Sequence, residues 1–200
     1  MICELVAAAC RDAQHGGGLL EAAALEALAL RLSTGPVEHT AETGCGASTL
    51  IFACFSRDHI AFTVDCQDGS YQAVVASNWL KKGNVRFVLG PTQVTLPRYH
   101  FTERFKLVLL DGPHAYPFPD LEYYYFYPHI VTGGWLVIDD MQIPSIRRMV
   151  EILSADDMWH LEQTVGRTAF LRRTDAPTFC PTGDSWWEQG YNRPAVPPRH

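Results

Sequence analysis

The chain has 200 residues, 47% of them hydrophobic and 19% charged, which supports one folded domain and excludes a largely disordered chain. Sixteen lysines and arginines against twenty-two aspartates and glutamates leave a formal net charge of −6, which argues against a nucleic-acid partner and an anionic membrane. No cysteine pair has C-x-x-C spacing, and no apolar run approaches the ~20 residues of a membrane span. We therefore expect a soluble, cytoplasmic protein with reduced thiols and no signal peptide.

Residues 1–35 predict an N-terminal helical segment. Glycines 16–18 interrupt a short first helix, and a second helix is predicted over residues 19–33, where leucines recur at helical spacing. Gly35 and Pro36 end this helix, because glycine permits a left-handed turn and proline cannot continue the hydrogen-bond pattern.

Strands and helices alternate from Val37 onward. The predicted strands cover residues 37–43, 59–65, 85–90, 106–111 and 135–140, and the predicted helices cover 47–56, 70–82, 118–131 and 145–153. The strands at 106–111 and 135–140 are almost continuously apolar, as expected for a parallel sheet covered by helices on both faces. Residues 159–164 and 168–173 are separated by too few residues for a parallel crossover, so they predict an antiparallel hairpin.

Together these elements predict one α/β domain, a doubly wound, mostly parallel seven-stranded sheet with a C-terminal antiparallel hairpin. Residues 36–173 form the predicted core of this domain. Residues 174–200 are rich in proline and tryptophan and predict an irregular tail. Such a tail wraps the domain or covers a partner subunit, which would make the protein a homodimer.

A glycine-rich turn, Glu42-x-Gly44-x-Gly46, joins the first core strand to the first core helix. Glycines let the backbone turn tightly and approach a ligand closely. The next strand ends in Asp65, nineteen residues after Gly46, where a carboxylate can accept hydrogen bonds from both hydroxyls of a ribose. Because ligands of open α/β sheets bind at the carboxyl ends of the strands, these features predict a cofactor that contains adenosine.

The kind of cofactor depends on the details of this turn. A dinucleotide site has a third glycine or an alanine where this chain has Thr49, and the Gly-Lys-Ser/Thr of a P-loop is absent. The turn resembles the first motif of class I S-adenosylmethionine (SAM) methyltransferases, which implies that Glu42 supports the loop or the methionine end of SAM. A β–α turn that binds nothing is the alternative. The expected cofactor contacts are Glu42, Gly44, Cys45, Gly46, Ser48, Thr49, Asp65, Cys66, Gly90, Pro91, Thr92 and Asp111.

Acidic residues follow two strands that are neighbours in the predicted sheet. Asp111 ends one strand, and Asp139 and Asp140 end the other. Adjacent strands lie ~4.8 Å apart, so these carboxylates can face one another across a cleft. Three converging carboxylates without a lysine or arginine partner repel one another. The pattern therefore predicts a divalent cation, with Mg²⁺, Ca²⁺ or Mn²⁺ suited to oxygen ligands.

The region from Phe105 to Asp140 resembles small-molecule O-methyltransferases of the catechol and macrocin types. The shared pattern is Asp-Gly-x-His-x-Tyr, an Asp that opens the next helix, Gly-Gly, and a strand that ends in Asp-Asp. The resemblance implies that Asp111, Asp139 and Asp140 hold a metal ion, and that His114 is the base that takes the acceptor's proton. The interpretation without a metal is that these aspartates contact the cofactor, cap a helix or face solvent.

One departure and three competing functions complete the sequence analysis. The family often has an acidic or amide side chain near the adenine, where this chain has Gly90-Pro91-Thr92-Gln93, so Thr92 or Gln93 would substitute.

The main expectation is methyl transfer from SAM to a hydroxyl of a small molecule such as a sugar, phenol or polyketide. The alternatives are a SAM-binding protein without catalysis and, less favoured, an NAD-dependent oxidoreductase. A nucleic-acid methyltransferase is disfavoured because the chain is acidic and lacks an Asn/Asp-Pro-Pro-Tyr motif.

Overall fold

The computed structural model describes residues 1–14, 19–65, 69–80 and 83–192. The strands in this part of the chain are β1 (Val37–Thr43), β2 (Ser56–Thr63), β3 (Val85–Leu89), β4 (Phe105–Leu110), β5 (Ile130–Ile138), β6 (Trp159–Val165) and β7 (Thr168–Arg173). The helices are α1 (Ile2–Asp12), α2 (Ala22–Leu32), α3 (Ala47–Phe55), α4 (Ser70–Ala76), α5 (Thr92–Thr95), α6 (Phe118–Phe126) and α7 (Pro144–Ser154).

All seven strands form one sheet in the order β3-β2-β1-β4-β5-β7-β6. The first five strands in this order are parallel, whereas β7 runs antiparallel to both β5 and β6. The doubly wound fold with a terminal antiparallel hairpin is therefore confirmed. The order of the strands reverses between β1 and β4, which places a ligand cleft at the carboxyl ends of these two strands.

Alternate residues of the central strands enter two separate hydrophobic cores. Leu107 and Leu109 of β4 pack on the side of α1, α2 and α3, whereas Val108 and Leu110 pack on the side of α6 and α7. All four side chains are buried, which explains why the strand is apolar at every position. The two cores hold the sheet rigidly, so the strand ends that border the cleft have fixed positions.

The predicted helix over residues 118–131 is too long. Helix α6 ends at Phe126, a 3-10 turn covers Tyr127–His129, and β5 begins at Ile130, five residues before the predicted strand. Pro128 explains the break, because proline donates no backbone hydrogen bond and its ring clashes with the preceding turn of an α-helix. The β-branched residues that follow favour the strand.

The N-terminal helices and residues 174–192 contact this core. Helix α2 begins at Ala22, so Leu19 precedes it, and the glycines at 16–18 lie outside the described residues. Residues 174–192 contain only short 3-10 turns. The hydroxyls of Tyr124 on α6 and of Tyr127 in the following 3-10 turn donate to the carbonyls of Pro181 and Phe179 in this segment. Among the described helices, none has both the length and the apolar character that crossing a bilayer requires.

Candidate active site

A cavity of about 360 Å³ opens at the carboxyl ends of β2, β1, β4 and β5. The sheet register brings these ends together, since Thr43 pairs with both Phe62 and Leu110, and Leu110 pairs with Ile138. The residues at one end of the cavity, here called the cofactor end, are Thr63, Val64, Ser70, Gly44, Cys45, Gly90, Pro91, Thr92 and Gln93. The residues at the other end, here called the acceptor end, are Leu19, Asp111, Gly112, Pro113, His114, Asp139, Asp140 and Arg167.

The glycine turn lies directly against the end of β4. Gly44 has a φ of 84°, which favours glycine, and its amide donates to the Phe62 carbonyl at 2.9 Å. A Cβ atom at Gly44 would overlap the carbonyl oxygen of Asp111. Only glycine fits this position, so the turn and the acidic loop meet without a side chain between them.

Glu42 lies beneath this turn rather than in the cavity wall. Its carboxylate is fully buried and accepts hydrogen bonds from the hydroxyls of Ser48, at 2.6 Å, and of Thr49. The Nε2 atom of His59 lies 3.1 Å from Glu42 Oε1, and His59 Nδ1 is hydrogen-bonded to Thr40 at 2.8 Å. Glu42 therefore fixes the start of α3 from below, in agreement with a loop-supporting role.

The predicted cofactor residues divide into three groups. Gly44, Cys45, Gly90, Pro91, Thr92 and Asp111 line the cavity. Glu42, Gly46, Ser48 and Thr49 lie beneath the turn, where the Gly46 amide donates to Thr49 Oγ1 at 3.0 Å. Asp65 is exposed at the end of β2 and accepts a hydrogen bond from Gln72, and Cys66 lies outside the described residues.

A buried carboxyl group, Glu122, lies behind the junction of the two loops. Thr43 Oγ1 donates to Glu122 Oε2 at 2.7 Å and accepts from the Asp111 amide at 3.1 Å. A Cβ atom at Gly112 would overlap the Glu122 carboxylate, so this group packs directly on the backbone of the acidic loop. Burial raises the pKa of Glu122 to about 7, and the hydrogen bond from Thr43 opposes that shift.

His114 lies between two of the predicted carboxylates at the acceptor end. Its Nε2 atom is 2.7 Å from Asp140 Oδ2 and 3.6 Å from Asp111 Oδ1. The His114 side chain is 41% exposed, although its Nε2 atom is buried. Asp140 has a φ of 60°, in the left-handed region that aspartate tolerates better than most residues, and the chain turns there into residues 141–143.

The sequence-based premise that no cation faces these carboxylates is wrong. Because β7 is antiparallel to β5, the start of β7 lies beside the end of β5, with Ile138 paired to Ala169. This brings Arg167 Nε to 3.2 Å from Asp140 Oδ1 and 3.6 Å from Asp139 Oδ2. Thr168 Oγ1 donates to the other oxygen of Asp139 at 2.5 Å.

The acceptor end changes the proton affinities of its own groups. Burial raises the pKa of Asp111 to about 6 and also raises the pKa of Asp139. The nearby carboxylate of Asp111 raises the pKa of His114 above its ordinary value, against the opposing effect of burial. Once it has lost its proton, His114 is therefore a stronger base than an isolated imidazole.

The predicted metal ligands are only partly brought together. Asp111, His114 and Asp140 each place one potential ligand atom within 4.8 Å of the others, and Asp139 is not in this group. His114 Nε2 lies 2.7 Å from Asp140 Oδ2, and Arg167 also faces Asp140, so a metal ion would have to compete with both groups. The group offers two carboxylates and one imidazole, so it fits poorly a Mg²⁺ ion, which prefers several oxygen ligands at ~2.1 Å.

Several residues of the site were not anticipated. Arg167 could have been found only by pairing β7 with β5, because the sequence predicts the hairpin but not its neighbour in the sheet. No sequence pattern pointed to Glu122, because its burial depends on the way α6 packs over Gly112. Leu19 was assigned to a helix, yet its carbonyl accepts a hydrogen bond from Arg167 at 2.9 Å at the mouth of the cavity.

Comparisons with known proteins agree with this geometry. A family model described as a methyltransferase domain matches residues 41–141, which include the glycine turn and the acidic loops. A search of curated proteins finds no match.

Solved structures share the fold at low sequence identity. Cofactor-bound Rv0187 from MTB is 19% identical with a TM-score of 0.65, over 86% of this chain and 89% of that one. The O-methyltransferase TomG from Streptomyces achromogenes, in complex with SAM, is 18% identical with a TM-score of 0.64, over 86% and 89% of the two chains. MycE of the mycinamycin biosynthetic pathway, in complex with Mg and S-adenosylhomocysteine (SAH), is 16% identical with a TM-score of 0.57, over 88% and 57%.

Proposed function

Because the chain belongs to the methyltransferase domain family, we propose that it transfers a methyl group from SAM to a hydroxyl group of a small molecule. The observation that carries the proposal is a single cavity with a glycine turn at one end and His114, between two carboxylates, at the other. The net charge of −6 favours a small-molecule acceptor over a nucleic acid. O-methyltransferases among the structural neighbours support a hydroxyl acceptor.

The turn at Gly44 and the loop at Gly90 would hold SAM, with its methyl group directed to the acceptor end. Methyl transfer is an in-line displacement, so the protein mainly aligns the acceptor and excludes water. The acceptor oxygen forms a bond to the methyl carbon while the carbon–sulfur bond breaks, which leaves SAH. The acceptor's proton passes to His114.

Asp140 would set the tautomer of this base. The carboxylate of Asp140 lies 2.7 Å from Nε2, so its negative charge favours a proton on that nitrogen, which leaves the lone pair on Nδ1 to accept the acceptor's proton. Asp111 and Asp140 then stabilise the imidazolium that forms. These carboxylates position His114 in our proposal, and no step uses a metal ion, because the Nε2 contact and Arg167 already face Asp140.

Binding of the product tests the cofactor. SAH and NAD⁺ are titrated separately into EDTA-treated protein by calorimetry, and we expect micromolar affinity for SAH and no saturable binding of NAD⁺. The reverse result would favour an oxidoreductase. Binding of neither compound would remove the methyltransferase proposal.

A panel of acceptors tests the reaction. Sugars, phenols and polyketides are incubated with SAM, and SAH formation is measured with matched amine and thiol acceptors as controls. Turnover restricted to hydroxyl compounds is expected. SAH binding without turnover on the whole panel would favour a non-catalytic SAM-binding protein. The cytoplasmic location and the homodimer predicted from the sequence remain predictions.

A further inference from the structure

The side chain of Arg167 connects three separate parts of the chain. It extends from the turn between β6 and β7 to the carboxylates of Asp139 and Asp140, at 3.6 Å and 3.2 Å. Its NH2 group donates to the Leu19 carbonyl at 2.9 Å. The side chain is 32% exposed and lies in the wall of the cavity, so it is part of the acceptor end.

All four carboxylate oxygens of Asp139 and Asp140 already face groups of the protein. For Asp139, one oxygen accepts from Thr168 and the other faces Arg167. For Asp140, Oδ1 accepts from Gln142 at 2.6 Å and faces Arg167, and Oδ2 lies 2.7 Å from His114. Each of the four oxygens therefore has a donor or a cationic group of the protein within 3.6 Å, with which a metal ion would have to compete.

The guanidinium of Arg167 offsets the repulsion between the carboxylates of Asp139 and Asp140. Asp139 and Asp140 are adjacent in sequence and both face the same cavity, so their charges repel each other. Arginine keeps its charge at any physiological pH and can face two carboxylates at once with its fork of N–H groups. A divalent cation placed against the same oxygens would be repelled by this fixed charge.

We propose that Arg167 is a positioning residue that supplies the positive charge of the acceptor end in place of a divalent cation, so that loss of Arg167 opens a cation site. The inference rests on the proposed function for its meaning in catalysis. It extends that function, because it makes methyl transfer by this chain independent of metal. It also implies that the turn between β6 and β7 keeps Asp140 next to His114.

Binding of Mn²⁺ tests the inference without any acceptor. SAH-bound protein is treated with EDTA, dialysed, and titrated with Mn²⁺ by calorimetry and electron paramagnetic resonance. We expect no saturable Mn²⁺ binding by the wild-type chain. We expect Arg167→Met to bind Mn²⁺ with a Kd at least ~10-fold below the highest concentration that leaves the wild type unsaturated. Arg167→Lys keeps the charge and should behave like the wild type. Arg148→Met, at an exposed position on α7, is the matched control.

SAH affinity within about threefold of the wild type shows that each variant is folded, and it tests the cofactor proposal separately. Saturable Mn²⁺ binding by the wild-type chain would overturn the inference even if SAH binds well. Failure of Arg167→Met to bind Mn²⁺, while SAH still binds, would overturn the role of Arg167 as the group that excludes the cation. If Arg167→Met does not bind SAH, Mn²⁺ binding by Arg167→Ala is compared with that by Arg167→Lys instead. Equal Mn²⁺ affinity in those two folded variants would overturn the proposal.

Discussion

The cofactor end and the acceptor end of the cavity are built in opposite ways. Beneath the cofactor end, the buried carboxylate of Glu42 is held by the hydroxyl groups of Ser48 and Thr49 and by His59. At the acceptor end, carboxylates, His114 and Arg167 face the cavity and are partly exposed. The first arrangement fixes the shape of the backbone, and the second places charged groups where, in our proposal, the acceptor loses its proton. Changes to the cofactor end should therefore alter stability and affinity, and changes to the acceptor end should alter turnover.

The largest effect is expected from His114→Ala. The proposed base is lost, so kcat should fall by about 10²- to 10⁴-fold, while SAH affinity stays close to the wild-type value because the cofactor end is intact. Steady-state kinetics with the acceptor found in the panel, together with SAH calorimetry, check this expectation. His100→Ala, at an exposed position before β4, is the control. A fall in SAH affinity equal to the fall in kcat would contradict the division between the two ends.

The pH dependence of the wild type tests the same base. His114 acts only when it is deprotonated, and Asp111 raises its pKa above the ordinary value of 6.5. We expect kcat/KM to increase as the pH rises through and above 6.5, and then to level off. Asp140→Asn weakens the hold on the Nε2 proton, so it should shift this profile to lower pH. An unchanged profile in Asp140→Asn would contradict the proposed tautomer.

Glu42→Ala is the corresponding change at the cofactor end. It leaves the buried side chains of Ser48, Thr49 and His59 without their shared acceptor, so the free energy of unfolding should fall by roughly 3–5 kcal/mol. Urea unfolding measures the loss, and SAH affinity should fall with it. Glu38→Ala, on the exposed side of the same strand, should change stability by less than about 1 kcal/mol. Equal losses in the free energy of unfolding would mean that the buried hydrogen bonds of Glu42 stabilise the fold no more than an exposed ion pair does.

The same contrast explains what the sequence could predict. The glycine turn of the cofactor end comes from one local segment, residues 42–49, so its glycines and acidic residue are visible as a motif. Composition also sufficed for the central parallel strand β4, because it is buried on both faces. The acceptor end is assembled from loops distant in sequence, and the pairing of β5 with β7 decides which side chains meet there. Asp111 and Asp140 were predicted to converge, but Arg167 enters from a turn whose neighbour no local pattern specifies.

Glu122→Gln tests the group behind the junction of the two ends. A folded-state pKa of about 7 lies above the ordinary 4.5, so the folded protein keeps this proton while the unfolded chain loses it. Stability from this group is therefore complete below pH 4.5 and is lost as the pH rises to about 7, by roughly 2–4 kcal/mol. Relative to the wild type, Glu122→Gln should gain this amount between pH 5 and pH 8 in urea unfolding. Glu151→Gln, on the exposed face of α7, should show no such gain.

The smallest expected effect concerns Asp65, whose predicted contact with a ribose has a competitor in the structure. Its carboxylate accepts a hydrogen bond from Gln72 and is exposed, so water weakens any bond it makes to a ligand. We expect Asp65→Asn to lower SAH affinity by about tenfold, and Gln72→Met to change it by less than about threefold, because the ribose hydroxyls replace the amide. Asp58→Asn, at the opposite end of β2, is the control in calorimetry. If Asp65→Asn binds SAH like the wild type, the ribose is held by other groups and the acidic end of β2 serves only to orient Gln72 on α4.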